Sequence, residues 1–117
     1  MSNGAWVYCL HEVGCESDGP CKVGVATNFG KRLAALQGGN HRRLVVAWRF
    51  LMHDRYTAIQ VESHTLSRLR PDVYAIKPEA RLCSEWVRCG PHKVLEVAGS
   101  IAATFDDFET LKGDGFI

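Results

Sequence analysis

The sequence predicts an α/β domain of the α+β kind, a small three-stranded antiparallel sheet flanked by helices. Three observations carry the expectation. With 117 residues, 46% of them hydrophobic and 23% charged, the chain suits one globular core, since single domains most often run about 100–150 residues. Stretches rich in aromatic and β-branched residues alternate with stretches whose apolar residues recur every three or four positions. The first two strand-like stretches flank a short loop punctuated by glycine and proline, which makes them antiparallel neighbours. The expected unit is a single domain over residues 1–117, with a core at about residues 5–105 and an acidic C-terminal tail.

Each element has its own warrant. Residues 5–13 (AWVYCLHEV) read as the first strand, and Gly14, Asp18, Gly19 and Pro20 break the chain after it. Residues 21–26 (CKVGVA) form the second strand and close the hairpin. Thr27 or Asn28 then caps a helix, because either side-chain oxygen accepts from the N–H groups of the first turn. Phe29, Leu33, Leu36 and Gln37 carry that helix to Gly38 and Gly39, which end it. Residues 44–51 (LVVAWRFL) are almost unbroken in apolar side chains, as expected of a central strand covered on both faces. From Asp54 to Arg70 the spacing of Tyr56, Ile59, Leu66 and Leu69 is helical, with Pro71 as the stop. The stretch from Asp72 to Cys89 is mixed, interrupted by Pro78, with a short strand at Glu85-Trp86-Val87. From Pro91, the recurrence of Val94, Leu95, Ala98, Ile101 and Ala102 predicts a last helix that frays near Asp106. Beyond Phe108 the apolar content is too low to predict an element. No repeat or low-complexity segment interrupts the chain.

Composition excludes several function classes. No apolar run approaches the roughly 20 residues that cross a bilayer, and Met1 is not followed by a basic stretch leading into a hydrophobic region, so a cytoplasmic protein without membrane attachment is expected. The cysteines Cys9, Cys15, Cys21, Cys83 and Cys89 are odd in number, which fits free thiols in a reducing compartment. Steps of six residues from Cys9 to Cys15 to Cys21, even with His11 between, do not match zinc motifs, whose ligands come in pairs about two to four residues apart. The net charge of +1 conceals an uneven distribution. Lys31, Arg32, Arg42, Arg43, Arg49 and Arg55 face only Asp54 within one stretch, whereas Asp106, Asp107, Glu109 and Asp114 dominate the tail. A basic patch of this kind suits a phosphate backbone, and a solvated helix and turn produces the same excess.

Two charges fall on apolar helix faces. Arg32 is three residues after Phe29 and four before Leu36, and Glu62 is three after Ile59 and four before Leu66, so both share the faces of those neighbours. Burying either charge unpaired costs several kcal/mol. Periodicity leaves three arrangements open: a partner, metal or water-filled cleft for each; a pair between Arg32 and Glu62; or stripes rotated so that both lie at the edge.

Trp6-Val7-Tyr8, then Lys22-Val23-Gly24 after a loop, then Arg32 eight residues past Gly24, then Glu62 nine residues before Pro71, together resemble the GIY-YIG nuclease superfamily. The resemblance is closest to its phage and bacterial branch, whose second motif commonly reads Lys-Ile-Gly and whose first helix is followed by a Gly-Asn turn, here Gly39-Asn40. That branch also carries a late Glu-Trp pair, here Glu85-Trp86. The likeness runs from Trp6 to Val87.

The resemblance implies a metal-dependent endonuclease that hydrolyses DNA phosphodiester bonds. It makes Glu62 the carboxylate that holds one Mg²⁺ or Mn²⁺, an ion suited to hard oxygen ligands with water and phosphate completing its shell. It makes Arg32 the clamp on the scissile phosphate, for which a planar fork of donors is apt, and Tyr8 the phenol that orients or deprotonates the attacking water. A strand tyrosine bonded to a neighbour is the bland alternative for Tyr8. Lys22 stands where better-studied members have a second tyrosine, and its ammonium is expected to contact phosphate or act as a base. The helix position at which many members carry histidine is Leu36, which leaves His41 after the turn as the catalytic candidate. No Asn follows Pro71 in the stretch Pro71-Asp72-Val73-Tyr74, where some members have one. Lys31, Arg42 and Arg43 are expected to contact the nucleic-acid backbone with little sequence preference. Trp48 and Trp86 are expected in the core and His64 on the surface. The expected partners are duplex or branched DNA, with a partner protein or a second copy supplying specificity. The alternative is a nuclease-like module that binds nucleic acid or protein without cutting, against which stands the joint presence of Tyr8, Arg32 and Glu62.

Overall fold

The hairpin forms as expected: β1 (Ala5–Glu12) and β2 (Cys21–Ala26) pair antiparallel, from Trp6 opposite Ala26 to His11 opposite Cys21. β3 (Leu44–Met52) lies on the other flank of β1. The computed structural model describes residues 4–69, 73–74, 86–105 and 109–116, with the backbone alone at 73–74 and 109–116. Within these residues the sheet is wider than expected. β4 (Val73–Tyr74) pairs with β5 (Trp86–Val87), which pairs with β2, and β6 (Glu109–Phe116) pairs with β3. The order is β4-β5-β2-β1-β3-β6, antiparallel throughout. The α+β class holds, and the predicted three strands are the centre of a six-stranded sheet. β4 and β5 span two residues each, too short for a periodic signal. The tail reading is corrected: residues 109–116 form an edge strand, whose backbone is held by the ladder to β3 without needing an apolar face.

Helices cover both faces of the sheet. α1 (Phe29–Gly38) is capped by Asn28, whose Oδ1 accepts from the Lys31 N–H at 3.1 Å, and Gly39 is its C-cap. α2 (Arg55–Arg68) is capped by Asp54, whose carboxylate accepts from the Thr57 N–H at 2.7 Å. α3 (Pro91–Ala102) starts on a proline, which suits a first turn that has no use for that N–H. Pro71, Pro78, Cys83, Glu85, Asp106 and Asp107, on which parts of the sequence reading rested, lie outside the described residues.

Phe29 and Leu33 of α1 pack on Tyr8, Leu10, Ala26, Leu44 and Val46. Ala58, Val61 and Leu69 of the α2 segment and Val94, Ala98 and Ile101 of α3 pack on the opposite face, over Val7, Cys9, Cys21, Val23, Trp48 and Phe50. Trp48 is in the core, its indole N–H donating to the Pro91 carbonyl at 3.1 Å, and Trp86 is buried as well. β3 serves both faces because its pairing with β1 shifts: Cys9 faces Trp48 while Leu10 faces Val46. The extra residue, Ala47, reverses the alternation. Leu44 and Val46 therefore face α1, whereas Trp48 and Phe50 face the other helices.

The helix stripes are rotated from those the sequence suggested. Arg32 is exposed, because α1 buries only Phe29 and Leu33, with Leu36 at the edge. On α2 the buried line is Thr57, Ala58, Val61 and Thr65, while Glu62, Ile59 and Leu66 are half-buried and Tyr56 is 72% exposed. Thr65 can be buried because its hydroxyl donates to the Val61 carbonyl at 2.7 Å. Glu62 thus sits on the rim of the buried stripe. Among the described residues no helix is long and apolar enough to cross a membrane.

Candidate active site

The sheet register brings the two strand motifs together. Tyr8 on β1 lies directly opposite Gly24 on β2. The Tyr8 side chain is 1% exposed, and its ring lies across Gly24 so closely that a Cβ there would overlap the phenol oxygen and ring. Phe29, the first residue of α1, tilts against the same ring with centroids 5.6 Å apart. The glycine of the second motif is therefore a space requirement of the tyrosine of the first.

Lys22, two residues before Gly24, faces the same side of the sheet. It is 6% exposed, opposite Leu10 on one flank and Trp86 on the other, and its Nζ lies 5.8 Å from the Trp86 ring centroid. Lys22 and Trp86 line a cavity of about 260 Å³ with Ala35, Leu36, Gly39, Asn40 and Leu44. A neighbouring cavity of about 390 Å³ opens beside the start of α1, lined by Ala26, Thr27, Asn28, Lys31, Arg32 and Ala35. Both cations sit in the first turns of a helix that carries no acid there, at the end where the macrodipole is positive. Such crowding of like sign suits an incoming anion.

The turn after α1 is braced from within. Gln37 Nε2 donates to the carbonyls of Asn40 and Arg42, and Gln37 Oε1 accepts from the Leu44 N–H. Asn40 Nδ2 donates to the Arg42 carbonyl at 2.7 Å and to Glu12 Oε2 at 3.0 Å. These bonds fix the Gly-Asn turn and leave His41, Arg42 and Arg43 exposed. Arg42 also approaches Glu12, at 4.0 Å, a rim contact of little energetic weight.

Tyr8, Lys22, Lys31 and Arg32 are thus gathered on the α1 side of the sheet. Glu62 belongs to α2, on the opposite side, where its helix packs mainly over β1 and β2. Arg32 has no ion-pair partner among the described residues, so the Arg32–Glu62 pair is not formed; Glu62 is engaged by a neighbour. β5 covers the outer edge of β2 only at Cys21 and Lys22. Among the described residues no group of three or more His, Cys, Asp or Glu is placed to hold a metal ion. A single half-buried carboxylate fits only a hard cation that keeps most of its shell as water or phosphate. His64 is exposed and lines a separate cavity of about 410 Å³ with Arg68, Ser100 and Phe105, between α2 and α3.

Arg49, expected only as one charge of the basic stretch and given no site role, joins the wall around Tyr8. The bulge in β3 turns it toward α1, opposite Tyr8, and its guanidinium carbon lies 4.2 Å from the ring centroids of both Trp6 and Phe29. An arginine flanked by two aromatic rings is a fixed cation in the wall that also holds Tyr8. The only available signal was Arg49 itself, a charge inside an otherwise apolar strand.

No curated protein and no solved structure is significantly similar to this chain. The profile of the T5orf172 domain, however, matches residues 5–102, from the first strand through the last helix. The chain belongs to the T5orf172 domain family, an endonuclease-type domain.

Proposed function

We propose that this domain is a metal-dependent endonuclease that hydrolyses DNA phosphodiester bonds through a GIY-YIG-type site. The observation that carries the reading is the fit of Tyr8 across Gly24, which turns two short sequence motifs into one constructed feature on the face that also bears α1. Tyr8 orients the attacking water, or takes its proton, from a position fixed by Gly24 and Phe29. Arg32 and Lys31, at the positive end of α1, hold the scissile phosphate and balance the charge that grows on it. Arg42 and Arg43, with His41 beside them, continue the positive face along the strand backbone. Glu62, half-buried on the rim of α2, would hold one Mg²⁺ or Mn²⁺. The ion's chemistry there is charge stabilisation at the phosphate and activation of water.

A second reading has its own support. Lys22, in the place of the second tyrosine, is buried against Trp86, a position that favours a module which binds nucleic acid without cutting. Incubation with plasmid and with branched DNA, with Mg²⁺ or Mn²⁺ and with chelator, separates the two. Metal-dependent nicking that disappears in Glu62→Ala, with the melting temperature retained, supports the enzyme. Binding without cutting under every condition supports the module. Collapse of Glu62→Ala on melting would instead assign Glu62 a structural ion pair.

A further inference from the structure

We propose that the cavity beside Lys22 and Trp86 receives a single unstacked nucleobase of the bound DNA. The proposal rests on the nucleic-acid reading above and adds to it a site for a base, distinct from the phosphate contacts at the start of α1.

The cavity has the size and chemistry for that occupant. At about 260 Å³ it falls just below the roughly 300–1,000 Å³ typical of small-molecule pockets, which suits one heterocycle better than a whole nucleotide. Leu36, Leu44 and the Trp86 indole supply apolar and aromatic wall. Two polar groups complement a base edge. Lys22, nine-tenths buried and already engaged by a neighbour, carries three N–H donors, more than one partner uses, for ring nitrogens or carbonyl oxygens. Asn40 offers an acceptor: its Nδ2 is committed to Glu12 and to the Arg42 carbonyl, both acceptors, so the amide is oriented and Oδ1 is the other end. Among the described residues nothing donates to that oxygen. A donor and an acceptor beside an aromatic wall are what the edge and face of a base require.

The location is consistent with the proposed path of the strand. Lys22 stands two residues from Gly24 on the strand edge that supports Tyr8. Ala35 lines both this cavity and the one containing Arg32. A strand whose phosphate rests against Arg32 therefore has a base-sized recess within the same wall.

The test is an abasic scan. Single-stranded and branched oligonucleotides that lack one base at successive positions are titrated against the full chain, with binding read by fluorescence anisotropy. Leu36→Phe, which narrows the recess from a half-buried position, and Trp86→Phe are measured in parallel, with melting curves confirming their fold. The expected result is one register at which base removal weakens binding by about tenfold or more, the scale of a lost base–aromatic contact. Leu36→Phe should bind intact DNA about as weakly as the parent binds the abasic strand and be indifferent to the abasic position. A flat scan in a parent protein that still binds DNA overturns the base pocket and leaves the nuclease reading standing. Absence of binding to every DNA overturns both.

Discussion

Gly24→Ala tests whether the tyrosine and glycine motifs form one structural unit. A methyl group on Gly24 would overlap the Tyr8 phenol oxygen and Cζ and would stand 2.9 Å from Cε1, closer than real Cβ contacts allow. Neither partner moves easily, since Tyr8 is 1% exposed with its ring against Phe29 and both residues lie on central strands. Overpacking of this kind costs about 1–3 kcal/mol when neighbours give way. If the ring is driven out entirely, the ceiling is the burial of a large aromatic, about 150–250 Å² at about 25 cal/mol per Å², or about 4–6 kcal/mol. A loss of about 2 kcal/mol lowers the melting temperature of a domain this size by roughly 6–12 °C. The control is the same substitution in Tyr8→Ala. With the ring gone, the methyl has space and removes a glycine from a strand, so Gly24→Ala should be neutral or stabilising by about 0.5 kcal/mol. Urea or thermal melts of the four proteins give the coupling energy. Wild-type stability in Gly24→Ala, or an equal cost in both backgrounds, would refute the close approach and with it the structural meaning of the motif pair.

Three further outcomes follow from other contacts. Arg49→Ala removes the cation beside Trp6 and Phe29 and should destabilise the domain by about 1–2 kcal/mol; Arg49→Lys should recover less than half, because an ammonium cannot stack, and full recovery would reduce Arg49 to a charge. The Asp54 carboxyl is held below its ordinary range chiefly by the Thr57 backbone N–H and next by the Thr57 side chain. Its stabilisation is therefore present above the unfolded carboxylate pKa of about 3.9 and is lost as pH falls through the lower folded value. Melting temperatures from pH 2 to 7 should show a shallower acid-side decline in Asp54→Asn, which keeps an acceptor but does not titrate, and an unchanged slope would rule the cap out as a source. Burial, reinforced by the neighbouring Cys21 and Cys89, pushes the Cys9 thiol up. Iodoacetamide at pH 8 followed by peptide mapping should label half-buried Cys15 well before Cys9, and the reverse order would mean that the core opens readily.

Much of this architecture was written in local pattern. The Asn28 cap, the Gly-Gly stop, the hairpin and the central apolar strand all came from signals a few residues long, and the structure has them. What failed needed tertiary information. Large apolar residues were used to orient α2, but its buried line runs through Thr57, Ala58 and Thr65, small or polar side chains that permit close packing. One extra residue in β3 reversed the facing of Arg49, which no alternation rule reports. Lys22 is buried, against the ordinary habit of lysine, because pairing with β5 places Trp86 opposite it. The presence of Tyr8 and Gly24 was legible in the motifs, but the reason they belong together lies in the register. Arg32 and Glu62, drawn as charges on similar apolar faces, belong to helices on opposite sides of the sheet.

The most direct measurement of the proposed site is paramagnetic broadening of backbone amide resonances by substoichiometric Mn²⁺. If Glu62 brings a cation to Tyr8 and Arg32, the amides near Glu62, Tyr8, Gly24 and the start of α1 should broaden together, and Glu62→Gln should abolish the effect at all of them. Broadening confined to the acidic segment near residue 109, or broadening near Glu62 that leaves Tyr8 and α1 sharp, would contradict a shared metal-bearing site.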